Sequence, residues 1–131
     1  MPTQAKVDRV KELQEKLERS SIAVTATYTG IGVNGMTELR RKMRESGVEL
    51  LVIKNTLMYL AAEGAQRPQV KDIVQGPTAI AFGYDDPAEV ARSIHEYIRT
   101  TRSPLSIQGA AMADGLILPP GDVERLATLP P

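Results

Sequence analysis

The chain has 131 residues, 42% of them apolar and 24% charged, with sixteen basic and sixteen acidic side chains and a formal net charge of zero. That length fits one domain with a proper hydrophobic core, and that balance belongs to a folded rather than a disordered chain. The lack of cysteine excludes disulfides, a thiolate nucleophile and cysteine-based zinc sites, and no apolar run reaches the length of a bilayer span.

In chain order, Val7, Val10, Leu13, Gln14 and Leu17 share one side of a helical wheel, which predicts an amphipathic helix over 4–19 ended by Ser20-Ser21. Its charged start, M-P-T-Q-A-K-V-D-R-V-K-E, is unlike a secretory signal. Residues 21–28 alternate, with Ile22, Val24, Ala26 and Tyr28 opposite Ala23, Thr25 and Thr27, and read as a half-exposed strand. A helix over 35–46 follows, burying Met36, Leu39 and Met43 and stopping at Gly47. Residues 48–53, V-E-L-L-V-I, are a second strand. Asn55 or Thr56 is expected to cap a short helix that ends at Gly64.

A helical turn near 69–75 then leads through Gly76-Pro77 to a third strand, T-A-I-A-F-G-Y. Asp85-Asp86-Pro87 reads as a cap and first turn for a helix over 87–101 that buries Val90, Ala91, Ile94 and Ile98. Pro104 introduces a fourth strand, L-S-I-Q-G-A-A-M, and Asp114-Gly115 turns into a fifth, Leu116–Leu118, before a last helix over 120–127. The core order β-α-β-(α)-β-α-β predicts an α+β fold: a ferredoxin-like, split β-α-β arrangement. Its sheet is mostly antiparallel, with helices packed on it and an added N-terminal helix. The half-polar first strand predicts that one sheet face is open or lightly covered. The long link from Lys54 to Gly76 strains this scheme.

The glycines of T-G-I-G-V-N-G-M, Gly30, Gly32 and Gly35, spell G-x-G-x-x-G between a strand and a helix, where a dinucleotide-binding fingerprint would sit. Three features oppose an NAD(P)-type domain built on that loop. Lys54 stands where a ribose-binding acid belongs, the first strand alternates, and a dehydrogenase would need a second domain. The competing reading is a turn with Gly30 and Gly32 at positive φ and Asn34 capping the helix.

Charge and topology together suggest a different ligand. Residues 1–56 carry ten bases against seven acids, and residues 57–131 six against nine, an asymmetry that points to one basic face. In a split β-α-β unit the first and second strands run parallel, so the loops after them share one sheet edge. The loop 29–35 should therefore lie near Lys54, Asn55 and Thr56, each loop opening a helix N-terminus that attracts anions. Arg40, Arg41 and Arg44 occupy an arc of about 100° beside the apolar stripe of their helix. Guanidinium forks so spaced suit nucleic-acid phosphates, with Glu38 and Glu45 able to neutralise part of the set.

Y-T-G-I at 28–31, M-T-E-L-R-R-K-M-R at 36–44, G-V-E-L-L-V-I-K-N-T-L at 47–57 and G-P-T-A-I-A-F at 76–82 occur in that order. The sequence resembles the N-terminal domain of the large-subunit ribosomal protein L-ten family, the anchor of the ribosomal stalk, over nearly all of residues 1–131. The resemblance implies a single, non-enzymatic, cytoplasmic rRNA-binding domain without a cofactor, docked on the stalk base of large-subunit ribosomal RNA beside the L-eleven protein. By matching motif, Tyr28 and Gly30 fall in the RNA-facing loop, Lys54, Asn55 and Thr56 form the K-N-T contact, and Arg40, Arg41 and Arg44 belong to the basic helix.

Three departures qualify the match. The family usually has a basic residue where Thr29 stands, and a Thr/Glu capping box where this chain has Gly32 and Gly35. Beyond L-A-T-L-P the family continues into a helix that carries the acidic L-seven/L-twelve stalk dimers, so this sequence, ending at Pro131, is expected to bind RNA but not those dimers. His95, Tyr97 and Met112 read as ordinary helix and packing residues, and no catalytic pair or metal site is expected.

Overall fold

The computed structural model describes residues 3–128, so Met1-Pro2 and the L-P-P ending at 129–131 lie outside the described residues. The elements are α1 (Gln4–Arg19), β1 (Ile22–Thr27), α2 (Val33–Glu45), β2 (Glu49–Val52), α3 (Asn55–Gly64), a 3-10 segment (Pro68–Ile73), β3 (Thr78–Gly83), α4 (Pro87–Thr101), β4 (Ser106–Met112), β5 (Ile117–Leu118) and α5 (Pro120–Ala127).

The strands form one sheet in the order β2-β3-β1-β4-β5, antiparallel at every pairing. β3 lies between β1 and β2, and β1 between β3 and β4, which is the split β-α-β arrangement with β5 added at one edge. α1 and α4 span the residues that periodicity predicts. Asp86 caps α4 as expected, its side chain accepting a hydrogen bond from the Ala88 N–H at 3.0 Å, with Pro87 in the first turn.

Both faces of the sheet are covered, and this corrects the expectation of an open or lightly covered face. Ile22, Val24 and Ala26 of β1 join Ala81, Ala110, Leu39, Met43 and Ile94 in a core under α2, α4 and α5. On the opposite face Ala23, Ile80, Phe82 and Ala111 pack with Leu13, Leu17, Met58, Ala61 and Val70 under α1, α3 and the 3-10 segment. The alternation in β1 is of large against small side chains rather than of buried against wet ones. Thr25 is fully buried, with its hydroxyl bonded to the Ile73 carbonyl at 2.5 Å, so its polarity is satisfied internally. The long link from Lys54 to Gly76 supplies the second cover: β2 and β3 are a neighbouring antiparallel pair, and the excursion between them is α3 and the 3-10 segment.

Two helix starts also differ from expectation. α2 begins at Val33, with Gly32 at its N-cap, so Asn34 lies inside the helix rather than capping it. α3 begins at Asn55 with Lys54 at the N-cap, so neither Asn55 nor Thr56 caps it.

Candidate nucleic-acid interface

Thr27, the last residue of β1, pairs with Thr78, and Val52, the last of β2, pairs with Ala79. The two strand ends therefore lie side by side across β3, about 10 Å apart. The turn before β3 ties their loops together. The Tyr28 N–H donates to the Pro77 carbonyl at 3.2 Å, and the Asn55 side-chain amide donates to the Gly76 carbonyl at 2.8 Å. Gly76 has φ +69°, a conformation that favours glycine.

A β-bulge holds this turn from behind. Between β1 and β4 the register slips from Thr25↔Gly109 to Ala26↔Ile107, leaving Gln108 as the extra residue. Its side-chain oxygen Oε1 accepts from the Gln75 N–H at 2.9 Å and its side-chain Nε2 donates to the Thr78 hydroxyl at 2.8 Å. G-P-T-A and K-N-T-L, far apart in the chain, thus form one structural unit. The sequence gives no local signal of the Gln108 brace.

Both helices that open on this edge lack side-chain caps and acidic residues in the first turn. For α2 the reason is compositional. Gly32 is at the N-cap and Gly35 at the third helical position, the two places where a capping box would supply hydrogen-bonding side chains. The Leu57 N–H is taken by the Lys54 carbonyl at 3.0 Å, but the N–H groups of the first three residues of α2 and the first two of α3 stay available, with the positive ends of both helix dipoles beside them. Gly30 has φ +89° and lies against Pro104, and the Ile31 N–H closes the turn on the Tyr28 carbonyl at 3.0 Å. Gly35 has a packing reason: a Cβ there would stand 2.9 Å from Ile31 Cγ2.

The predicted site residues do not all gather here. Tyr28, Gly30, Lys54, Asn55 and Thr56 share the edge. Lys54 and Thr56 are exposed, while Tyr28 and Asn55 are half-buried. Tyr28 packs its ring against the α2–α4 core, and the Asn55 amide is committed to Gly76. Arg40 reaches the edge through a groove that it lines with Tyr28, Met36 and Val52. Arg44, one turn further on, lines the neighbouring groove along β2. Arg41 faces away from both grooves, 4.0 Å from Glu38. Arg40, Arg44 and Lys54 have no ion-pair partner among the described residues.

A sequence model of the family described as Ribosomal protein L10 matches residues 1–99. Large ribosomal subunit protein uL10 of Chloroflexus aggregans is 42% identical over 99% of this chain and 74% of its own length. The uL10 proteins of Roseiflexus castenholzii and Clostridium tetani are each 41% identical, over 99% and 98% of this chain and 68% and 73% of theirs. The chain belongs to the ribosomal protein L10 family. It is therefore a structural ribosomal protein rather than an enzyme.

Membership in the L10 family and the sheet topology both overturn the dinucleotide reading of Gly30, Gly32 and Gly35. A nucleotide-binding crevice forms between neighbouring parallel strands, and here β3 fills the place between β1 and β2. Among the described residues, no group of three or more His, Asp or Glu could hold a metal ion, and no helix is long and apolar enough to cross a membrane.

At the other end of β2 the charges are used differently. Lys16 donates to both Glu49 carboxylate oxygens at 2.7 and 2.8 Å, and the Tyr84 hydroxyl donates to the same carboxylate at 2.9 Å. The Arg19 guanidinium lies 5.4 Å from the Tyr84 ring centroid, within cation–π range. Burial alone would push the Glu49 carboxyl up, but the bonds from Lys16 and Tyr84 and the charges of Lys16 and Arg19 outweigh it and hold the carboxyl below its ordinary value. Burial and the Glu49 carboxylate push the Tyr84 hydroxyl up to about 12, so it stays a donor.

Proposed function

We propose that this chain is a structural constituent of the large ribosomal subunit, working in the cytoplasm as one rRNA-binding domain over residues 1–131. It docks on large-subunit ribosomal RNA at the stalk base, beside an L-eleven-type neighbour, and there helps to anchor the stalk that recruits translational GTPases. The observation that carries this reading is the shared edge. Two uncapped helix N-termini and the unpaired Lys54 lie on either side of one braced turn, with Arg40 at its flank.

Such an edge offers phosphate oxygens backbone N–H donors, two helix dipoles and full positive charges. Contacts to phosphate position the protein, and the folded shape of the RNA supplies selectivity. Tyr28 and Gly30 shape the loop, Lys54 and Thr56 meet the RNA, and Asn55 acts by holding the α3 N-terminus to Gly76.

The test is binding of a stalk-base RNA fragment across a salt series, with and without the L-eleven partner. Lys54→Ala should weaken binding about tenfold and lower the salt slope by about one contact's worth. An unchanged affinity and slope would remove Lys54 from the interface, and with it the reading of this edge.

A further inference from the structure

The grooves beside α2 separate the arginines that the sequence groups together. One, of about 330 Å³, lies between the loop 28–33, α2 and the end of β2. The next, of about 450 Å³, continues between α2 and the outer edge of β2, where β2 has no strand neighbour. Arg40 lines both, so the two form one path that leads from the phosphate-binding edge along β2. Arg44 lines the second groove with Gly47 and Leu50. The one carboxylate on that path among the lining residues, Glu49, is already neutralised by Lys16 and Arg19.

Resting on the docking reading above, we infer that an unpaired stretch of the bound RNA lies in this α2–β2 groove, with Arg40 and Arg44 on its phosphates and Arg41 outside the contact. Each groove has the size of a cleft for a single small ligand, roughly 300–1,000 Å³, which suits one strand rather than the full width of a duplex. Arg40 and Arg44 are one helical turn apart, about 6 Å along the axis, a spacing that lets two forks grip neighbouring phosphates of an extended strand. Neither has a carboxylate partner among the described residues. Arg41, with the same charge on the same helix, is turned to Glu38. Recognition of RNA through unpaired nucleotides held in a cleft is the mode by which RNA sequence is commonly read. A protein strand adding to the β2 edge is the competing occupant. The two free guanidinium groups over a strand of only four residues favour the polyanion.

The experiment compares equal-charge variants of the full chain on the stalk-base fragment. Arg40→Gln and Arg44→Gln should each weaken binding several-fold to tenfold and reduce the salt slope, whereas Arg41→Gln should stay within about twofold of the parent. All three side chains are exposed, and circular dichroism checks that the fold is kept. A loss with Arg41→Gln equal to that with Arg44→Gln would overturn the inference, since a diffuse positive field would then suffice. If Lys54→Ala weakens binding but Arg40→Gln and Arg44→Gln do not, the groove falls and the docking reading stands. If none of these variants matters, both fall. A second arm titrates isotope-labelled protein with a short unstructured oligoribonucleotide and with a blunt duplex of the same length. The Arg40, Arg44, Gly47 and Leu50 amides should shift with the single strand alone, and equal shifts with the duplex would overturn the assignment to unpaired RNA.

Discussion

The two ends of the sheet use charge in opposite ways. At the end where β1 starts and β3 finishes, polar groups are joined to one another. Lys16, Glu49 and Tyr84 form a hydrogen-bonded set under Arg19, and Arg67 donates to the Leu17 and Ala113 carbonyls. At the end where β1 and β2 finish, Lys54 and Arg40 have no ion-pair partner among the described residues and two helices lack side-chain caps. The first end contributes stability. The second gives up a few tenths of a kcal/mol to about 1 kcal/mol per missing cap and leaves its donors uncommitted.

Breaking the paired end should give the largest effect. Glu49→Ala leaves Lys16, whose side chain is only 12% exposed, with only the more distant Glu12 carboxylate at 3.9 Å. It should cost about 2 kcal/mol in urea unfolding, less than a fully buried pair because Glu49 itself is 39% exposed. RNA affinity should not fall, because the substitution takes a carboxylate out of the groove and releases the Lys16 charge, and a large loss of affinity would break the comparison. The same set makes stability depend on pH. The Glu49 carboxyl is lowered on folding from its ordinary 4.5, so the folded state releases its proton more readily. The contribution is fully present above that ordinary value and is lost as pH falls through the lower folded one. Unfolding curves through the acid range should show this loss in the parent and not in Glu49→Ala.

Next in size, Lys54→Ala should do the reverse. The expected tenfold loss of RNA affinity is about 1.4 kcal/mol, with stability within about 0.5 kcal/mol of the parent because the side chain is exposed and unpaired. Asn55→Ala removes the 2.8 Å bond to Gly76 and should cost about 1 kcal/mol of stability. No change would show that the turn is held by Gln108 and Tyr28 without it.

The smallest effect is the most pointed. Gly32 has room for a side chain and an extended φ of −80°, so Gly32→Asp can cap α2. It should raise stability by a few tenths of a kcal/mol while weakening RNA binding, because a carboxylate then occupies the anion's place. A variant that gained stability and kept its affinity would show that this helix N-terminus is not part of the interface.

Element order and extent were legible wherever one segment's own periodicity decides them. The stripe Leu13–Leu17 and the Asp86-Pro87 start mark α1 and α4 without outside help. The split β-α-β order was also readable, and from it the sharing of one edge by the loops after β1 and β2. The K-N-T and G-P-T-A motifs gave no sign of their contact with each other.

Other features depended on partners distant in sequence. Thr25 looks half-exposed until Ile73, 48 residues away, accepts its hydroxyl. Asn55 resembles a cap or a ligand contact until Gly76, 21 residues on, takes its amide. Arg40, Arg41 and Arg44 share one helix and one charge, and only the edge strand β2 packed beside them separates the pair over the groove from the one turned to Glu38. The sequence by itself determined the segments and their apolar faces, because those follow from side chains within a turn or two of each other. Tertiary structure alone decided which polar groups are satisfied and which cations stay free, because hydrogen bonds and ion pairs form between whatever the folded sheet brings within about 3 Å.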